Sequence, residues 1–352
     1  MAIEPFLRTR PQQGFLGTSI IQGIVVLTLV AIVFGKVQAV VPTSQGTYKT
    51  LPCYFALFAL AEIFSVVISI DALKLRNIIQ MLGIIGFQGA MIVFSALQVR
   101  QTRIALVRTP DQPGCFTTCA GPGSLWETVK PLLIAVPCVL GASWVTLIYW
   151  TRALYFEFGW AVFHAVGANP VMKKMYQYYQ VMICLLKFDF FAFVGLTMQL
   201  LILVINPATP EFGLTIAAVP VVLILLFGCG VAVKREIKWM MTLSLVLMAA
   251  SLSYFIFKFV RYYSPSTREQ YESTRNTLTV FTVVAFLLVF SSFAVGLRCF
   301  SDFDKGLRNS KATEAIAPKR TKYGSPSGTP GMSDRQSSYL GGAGLAPRMS
   351  IE

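Results

Sequence analysis

Residues 51–97 read LPCYFALFALAEIFSVVISI, then DALKLRN, then IIQMLGIIGFQGAMIVFSAL. Two long apolar runs flank a short stretch that carries an aspartate, a lysine and an arginine. A helix needs about 20 consecutive apolar residues to cross the roughly 30 Å hydrocarbon layer of a bilayer. Within that layer only helices and closed barrels satisfy every backbone donor and acceptor. Barrel strands would alternate apolar and polar residues over about ten positions. These runs are continuous and twice that length, so they predict two antiparallel membrane helices joined by a polar turn.

Six further runs have the same character: 15–34, 131–150, 188–205, 212–233, 239–260 and 278–297. The expected fold class is an all-α integral membrane protein, a bundle of about eight transmembrane helices with a disordered C-terminal tail. Composition agrees. The chain is 55% hydrophobic and 13% charged, with a mean hydropathy of +0.63, whereas soluble domains carry about 25% charged residues. The first run follows Arg8 and Arg10 as a signal peptide would, but it is too long for an h-region and lacks a small-x-small cleavage site. It reads as a retained signal anchor.

The positive-inside rule sets the expected orientation. With the N-terminus cytosolic, the cytosolic parts are 1–14, 71–77, 151–187, 234–238 and the tail from 298, and these hold 20 of the 30 Lys and Arg residues. Lys74, Arg76, Lys234, Arg235 and Lys238 lie in two short connections, where charge weighs most, whereas Asn206 to Glu211 on the opposite side has no basic residue. Arg100, Arg103 and Arg108 oppose this reading, but in a long loop that counts for less. The expected organisation is a cytosolic N-terminus (1–14), a membrane domain (15–297) with a cytosolic interfacial segment (151–187) and a lumenal loop (98–130), and a cytosolic tail (298–352).

The net charge of +14 then needs no nucleic acid, since a basic face opposite anionic headgroups accounts for it. The expected partners are the lipid bilayer, with cytosolic or membrane proteins reached through 151–187 and the tail. No metal or other cofactor is expected. Cys115 and Cys119, in the lumenal loop, are a candidate disulfide, with two free thiols as the alternative. Cys299, just past the last span, is a candidate for palmitoylation. In the tail, Ser325 and Thr329 each precede a proline close to a basic run and are candidate phosphorylation sites.

The segment 151–187 interleaves aromatic rings with Lys and Arg, which suits headgroup depth. It predicts two short interfacial helices hinged at Asn169-Pro170, since the residue before proline is pushed out of the helical region. The residues from Tyr155 through Glu157, Gly159 and Trp160, the run from His164 to Asn169, and later Tyr178-Tyr179-Gln180 with Leu186 to Asp189, resemble an uncharacterised fungal Golgi apparatus membrane protein family. The resemblance is strong over roughly 150–205. It implies a multi-span protein of the secretory pathway and a fungal source. It supplies no catalytic residue, because the family has none established.

Ionisable groups inside spans are costly and are functional candidates by default. Glu62 lies mid-span, with Gln80, Gln88 and Gln199 as candidate partners. Lys187 and Asp189 flank the start of the fifth span. Two residues apart, they cannot face one another on a helix. Asp189 is expected to find a Lys or Arg from 151–187, and Glu157 to find Lys187, as a lock at the cytosolic interface. His164 is either a pH-sensitive group or simply packed. Gly86 and Ala90 form a small-xxx-small pair that would allow close helix approach within the bundle, or a dimer face.

No P-loop, HExxH or GxSxG motif occurs, so an enzyme is not expected. Two functional classes remain. One is a non-enzymatic sorting, scaffold or receptor-like membrane protein. The other is a small-solute or proton-coupled transporter that uses Glu62.

Overall fold

The computed structural model describes residues 7, 9–39, 50–107, 124–166, 170–203, 210–263 and 275–303. Among them there are eight helices: α1 (Arg10–Gln38), α2 (Thr50–Lys74), α3 (Ile78–Leu106), α4 (Leu125–Val166), α5 (Pro170–Leu203), α6 (Pro210–Arg235), α7 (Lys238–Tyr263) and α8 (Arg275–Ser301). Each expected run lies in one of them, save residues 204 and 205, which lie outside the described residues, and the described fold is all-helical. Seven, all but α6, are long and apolar enough over the described residues to cross a membrane.

The helices pack as two rings of four. α1 lies against α2 and α4, and α3 also lies against α2 and α4. In the same way α5 and α7 each lie against α6 and α8. The rings meet where α2 and α3 touch α5. Phe64, Phe87, Phe188 and Phe191 fill that seam, with ring centroids between 4.8 and 5.9 Å apart.

Side chains are distributed as a bilayer requires. Large apolar residues such as Ile21, Ile24, Ile63, Val67, Val145, Phe227, Val246 and Leu287 point outward. Ser19, Gln22, Glu62, Ser65, Ser69, Gln88, Asp189, Gln199 and Ser292 point inward and are buried. Water would favour the reverse arrangement. In lipid the apolar residues need no cover, and polar groups can be satisfied only by other helices.

Both rings connect their second and third helices by the same tight turn. Arg76 and Glu236 take left-handed φ values of 48° and 56°. The following residues donate backwards, Asn77 N–H to the Ala72 carbonyl and Ile237 N–H to the Ala232 carbonyl, each at 3.0 Å. This is the Schellman closure of a helix C-terminus. Asn77 then caps α3, accepting from the Ile79 and Gln80 amides at 3.0 and 3.3 Å, which satisfies donors the new helix would otherwise leave bare.

Three expectations change. α3 continues to Leu106 and α4 begins at Leu125, so helix takes up both ends of the expected loop 98–130. Two separate interfacial helices are not found within 151–187. α4 runs unbroken for 42 residues to Val166 and α5 for 34 residues from Pro170. At 1.5 Å per residue these are about 63 and 51 Å long, well beyond a bilayer core. The spans therefore continue into their aromatic and cationic flanks. Pro170 sits at the first helical position, where its missing N–H costs nothing. Residues 167–169 lie outside the described residues, as does the tail from 304.

The pair Gly86 and Ala90 faces outward. A Cβ on Gly86 would meet nothing within 4 Å, whereas one on Gly83 would lie 2.7 Å from the Phe188 ring and 3.0 Å from Cys184 Sγ. The close approach of α3 to its neighbour is at Gly83.

Candidate functional site

Glu62 in the first ring and Asp189 in the second are buried mid-helix carboxylates. In the first ring, α2 carries Glu62 on its inward face, where it is 2% exposed. Its two oxygens accept from one amide, Gln22 Nε2 of α1, at 3.3 and 3.0 Å. Gln22 Oε1 is left without a partner among the described residues. Gln22 can thus serve either protonation state of its neighbour, since it donates to a carboxylate and, with the amide turned, accepts from a carboxylic acid.

Polar contacts continue from this pair toward the face at which α1 begins. Ser19 and Ser69 share a hydrogen bond of 3.3 Å, and Gln88 donates to Ser65 at 3.1 Å. Further on, Gln12 and Thr9 donate to Glu157 of α4 at 2.7 and 3.0 Å. Immediately beyond Glu62 the packing is apolar, made of Val26, Val30, Phe58, Met91, Val136 and Leu140, and buried polar side chains return further along α3 at Ser95, Gln98 and Thr102.

In the second ring, α5 carries Asp189 inward at 3% exposure. It accepts from the Ser292 hydroxyl of α8. Ten residues further along α5, Gln199 is fully buried with neither amide atom partnered among the described residues.

The third carboxylate binds the rings together. Asp71, at the end of α2, pairs with Lys187 of α5. Gln80 of α3 completes the cluster. Its Nε2 donates to Asp71 at 2.8 Å and to the Ile68 carbonyl at 3.0 Å, and its Oε1 accepts from Lys187 at 2.7 Å. Side chains from three helices thus meet at the seam.

The expected partners differ from these. Gln22 bonds Glu62, while Gln80 serves Asp71 and Lys187, Gln88 serves Ser65, and Gln199 bonds none of them. Lys187 takes Asp71 and not Glu157, because Glu157 lies across the first ring beside the start of α1. Asp189 takes a serine hydroxyl rather than a Lys or Arg of 151–187, because its side chain faces the interior of the second ring. Cys299 is 5% exposed and packs with Met182, Cys229, Val233 and Met241, so its thiol is not presented for acylation. Gly159, Trp160 and His164 belong to the helical backbone of α4, but their side chains lie outside the described residues. Cys115, Cys119, Ser325 and Thr329 also lie outside them.

Gln22, Asp71 and Ser292 were not singled out in the sequence. Gln22 carried a signal, as an amide in the middle of an apolar run. Asp71 was hidden by its place at a span end, where a carboxylate looks merely solvated. Among the described residues no group of three or more His, Cys, Asp or Glu side chains could hold a metal ion.

Over 320 residues the chain is 26% identical to a UPF0658 Golgi apparatus membrane protein of Schizosaccharomyces pombe, an alignment covering 86% of this chain and 91% of that protein. The likeness to this Golgi membrane protein family extends along most of the chain. It reaches well beyond residues 150–205, where the sequence alone pointed to it. No family model matches the chain, and no solved structure matches it.

Proposed function

We propose that the chain is a non-enzymatic multi-pass protein of the Golgi membrane, with both ends in the cytosol, that acts as a sorting or scaffold component. The observation that carries this reading is that all four carboxylates described above are engaged in contacts between helices: Glu62 with α1, Asp71 with α3 and α5, Glu157 with α1 and its N-terminal flank, and Asp189 with α8. Acids used in this way fix a rigid frame. That frame holds up α4 and α5, which outrun the bilayer on the N-terminal face. Arg152, Tyr155 and Phe156 are exposed on α4, and Val171, Lys173, Lys174 and Tyr178 on α5.

The test is affinity isolation of the full chain from Golgi membranes, alongside a variant in which Arg152, Tyr155 and Phe156 become alanine. A scaffold loses a defined set of proteins in the variant while its own abundance and Golgi delivery stay unchanged. An identical set from both proteins overturns the reading.

A second reading, a proton or small-cation relay, draws on the polar contacts between Glu62 and the N-terminal face. There Glu62 and its ambivalent partner Gln22 close off a series of polar contacts that starts at the N-terminal face.

A further inference from the structure

The two rings share one plan. α1, α2 and α3 begin at residues 10, 50 and 78, and α5, α6 and α7 begin at 170, 210 and 238, each 160 later. The left-handed residues of the two tight turns, Arg76 and Glu236, keep the same interval. Around them Ala72, Lys74 and Met81 recur as Ala232, Lys234 and Met241. The third helix of each ring also buries corresponding positions. In α3 these are Met81, Ile84, Gln88, Ser95 and Thr102, and in α7 they are Met241, Ser244, Met248, Phe255 and Tyr262. Four helices return the chain to the face where it started, so the two units have the same orientation, as parallel repeats do.

Like units can meet through matching faces or through unlike ones. Here the faces are unlike. α2 and α3 of the first unit together receive α5, the first helix of the second, whereas α1 does not pack on α6 or α7 in return. The seam therefore uses one copy of each face and leaves the other copy unused. On α5 the seam residues are Cys184, Phe188, Phe191 and Gly195. Their counterparts on α1 are Ile24, Thr28, Ala31 and Gly35, all exposed, and a Cβ on Gly35 would meet nothing within 4 Å. Across the seam stand Phe64 of α2 and Gly83 of α3. Their counterparts Ile224 of α6 and Leu243 of α7 are 69% and 48% exposed.

From this arrangement we infer that a second copy of the chain covers the unused faces, the α1 face of one copy seating on the α6–α7 face of the next. The contact repeats between copies the seam that already joins the two units within one. The faces are complementary in bulk. Thr28, Ala31 and Gly35 leave a shallow strip on α1 that lets backbones approach closely, while Ile224, Phe227 and Leu243 project from the opposing pair. Neither face repeats the polar lock of the seam. Leu27, Val231 and Met240 stand where Lys187, Asp71 and Gln80 would recur, so close packing within lipid drives the association rather than ion pairing. The inference stands apart from the sorting and relay readings, since neither requires more than one copy.

The test is single-molecule photobleaching of the fluorescently tagged full chain in liposomes, across a series of protein-to-lipid ratios. The wild type should pass from single copies to associated ones as its density rises. Ala31→Trp fills the strip on α1, and Leu243→Trp reshapes the α6–α7 face. Both positions are exposed, so each variant should keep the wild-type Tm. Alone, each should need a density roughly tenfold higher or more to associate. Mixed, the two should pair at the wild-type density, because the intact α6–α7 face of the first meets the intact α1 face of the second. Only a contact between unlike faces gives that rescue. A wild type that stays single at every density, its faces covered by lipid alone, overturns the inference. So does association of either variant alone at the wild-type density, or a mixture that fails to pair. Should either tryptophan lower Tm, Gly35→Leu and Ile224→Trp replace the two under the same criteria.

Discussion

The Lys187 ammonium of α5 meets the Asp71 carboxylate of α2, and this pair joins the two four-helix rings. The partners are 28% and 41% exposed, so solvent screens much of their attraction, and the pair resembles a surface salt bridge more than a buried one. Gln80 adds two neutral-to-charged hydrogen bonds. Lys187→Met and Asp71→Asn should each lower stability by about 1 kcal/mol, and a double-mutant cycle should return a coupling of about 0.5–1 kcal/mol. Unfolding of the purified single and double variants measures it. Additive losses would mean that the contact contributes nothing to holding the rings together.

Glycines 83 and 86 give opposite expectations on one helix. A methyl at Gly83 would press on Phe188 and Cys184 across the α3–α5 seam, whereas at Gly86 it would enter open space. Packed interiors resist added volume, so Gly83→Ala should cost about 1–3 kcal/mol. Gly86→Ala should be neutral or slightly stabilising, as alanine is the better helix former. Unfolding temperatures of the two variants decide. A dimer that depended on Gly86 would appear as loss of self-association in that variant alone.

The eight helices were legible because apolar length is a one-dimensional property, read directly against the thickness of a bilayer. The ends of α4 and α5 were not. Tyr155, Phe156, Lys173 and Lys174 mark headgroup depth by hydropathy, yet their backbone continues the helix beyond it. The pairing of the polar residues was hidden for a different reason. Glu62 and Gln22 are 40 residues apart on separate helices, and their meeting depends on the rotation and depth of both. Gln80 and Gln88 were the nearer amides in sequence, but α3 turns them toward Asp71 and Ser65. What could be read was that such residues need partners; which partners they take is a property of the packing.

Topology is testable at both ends of the charge argument. A reporter fused after Glu352 should lie in the cytosol, and a tag inserted near Pro122 should be lumenal. Maleimide should then label Cys115 and Cys119 only after reduction, as a lumenal disulfide requires. Both reporters on one side would exclude eight spans, and ready labelling without reductant would leave two free thiols.

Glu62 separates the sorting and relay readings. It is enclosed at 2% exposure, bonded by both oxygens to Gln22, with apolar packing beyond it. A relay needs a group that gains and loses a proton, so Glu62→Gln should abolish function while folding, abundance and Golgi delivery persist. A structural Glu62 tolerates glutamine, because the substituted side chain can still form an amide–amide hydrogen bond with Gln22. Glu62→Leu is the harsher change under the structural reading, since it strands the buried Gln22 amide at a cost of about 1–3 kcal/mol. Adding Gln22→Leu to Glu62→Leu should recover part of that loss, because no polar group is then left unpaired. Complementation of a deletion strain with these variants, alongside their steady-state levels, reads both properties. Full rescue by Glu62→Gln would sink the relay, and loss of rescue at normal abundance and location would sink the purely structural role.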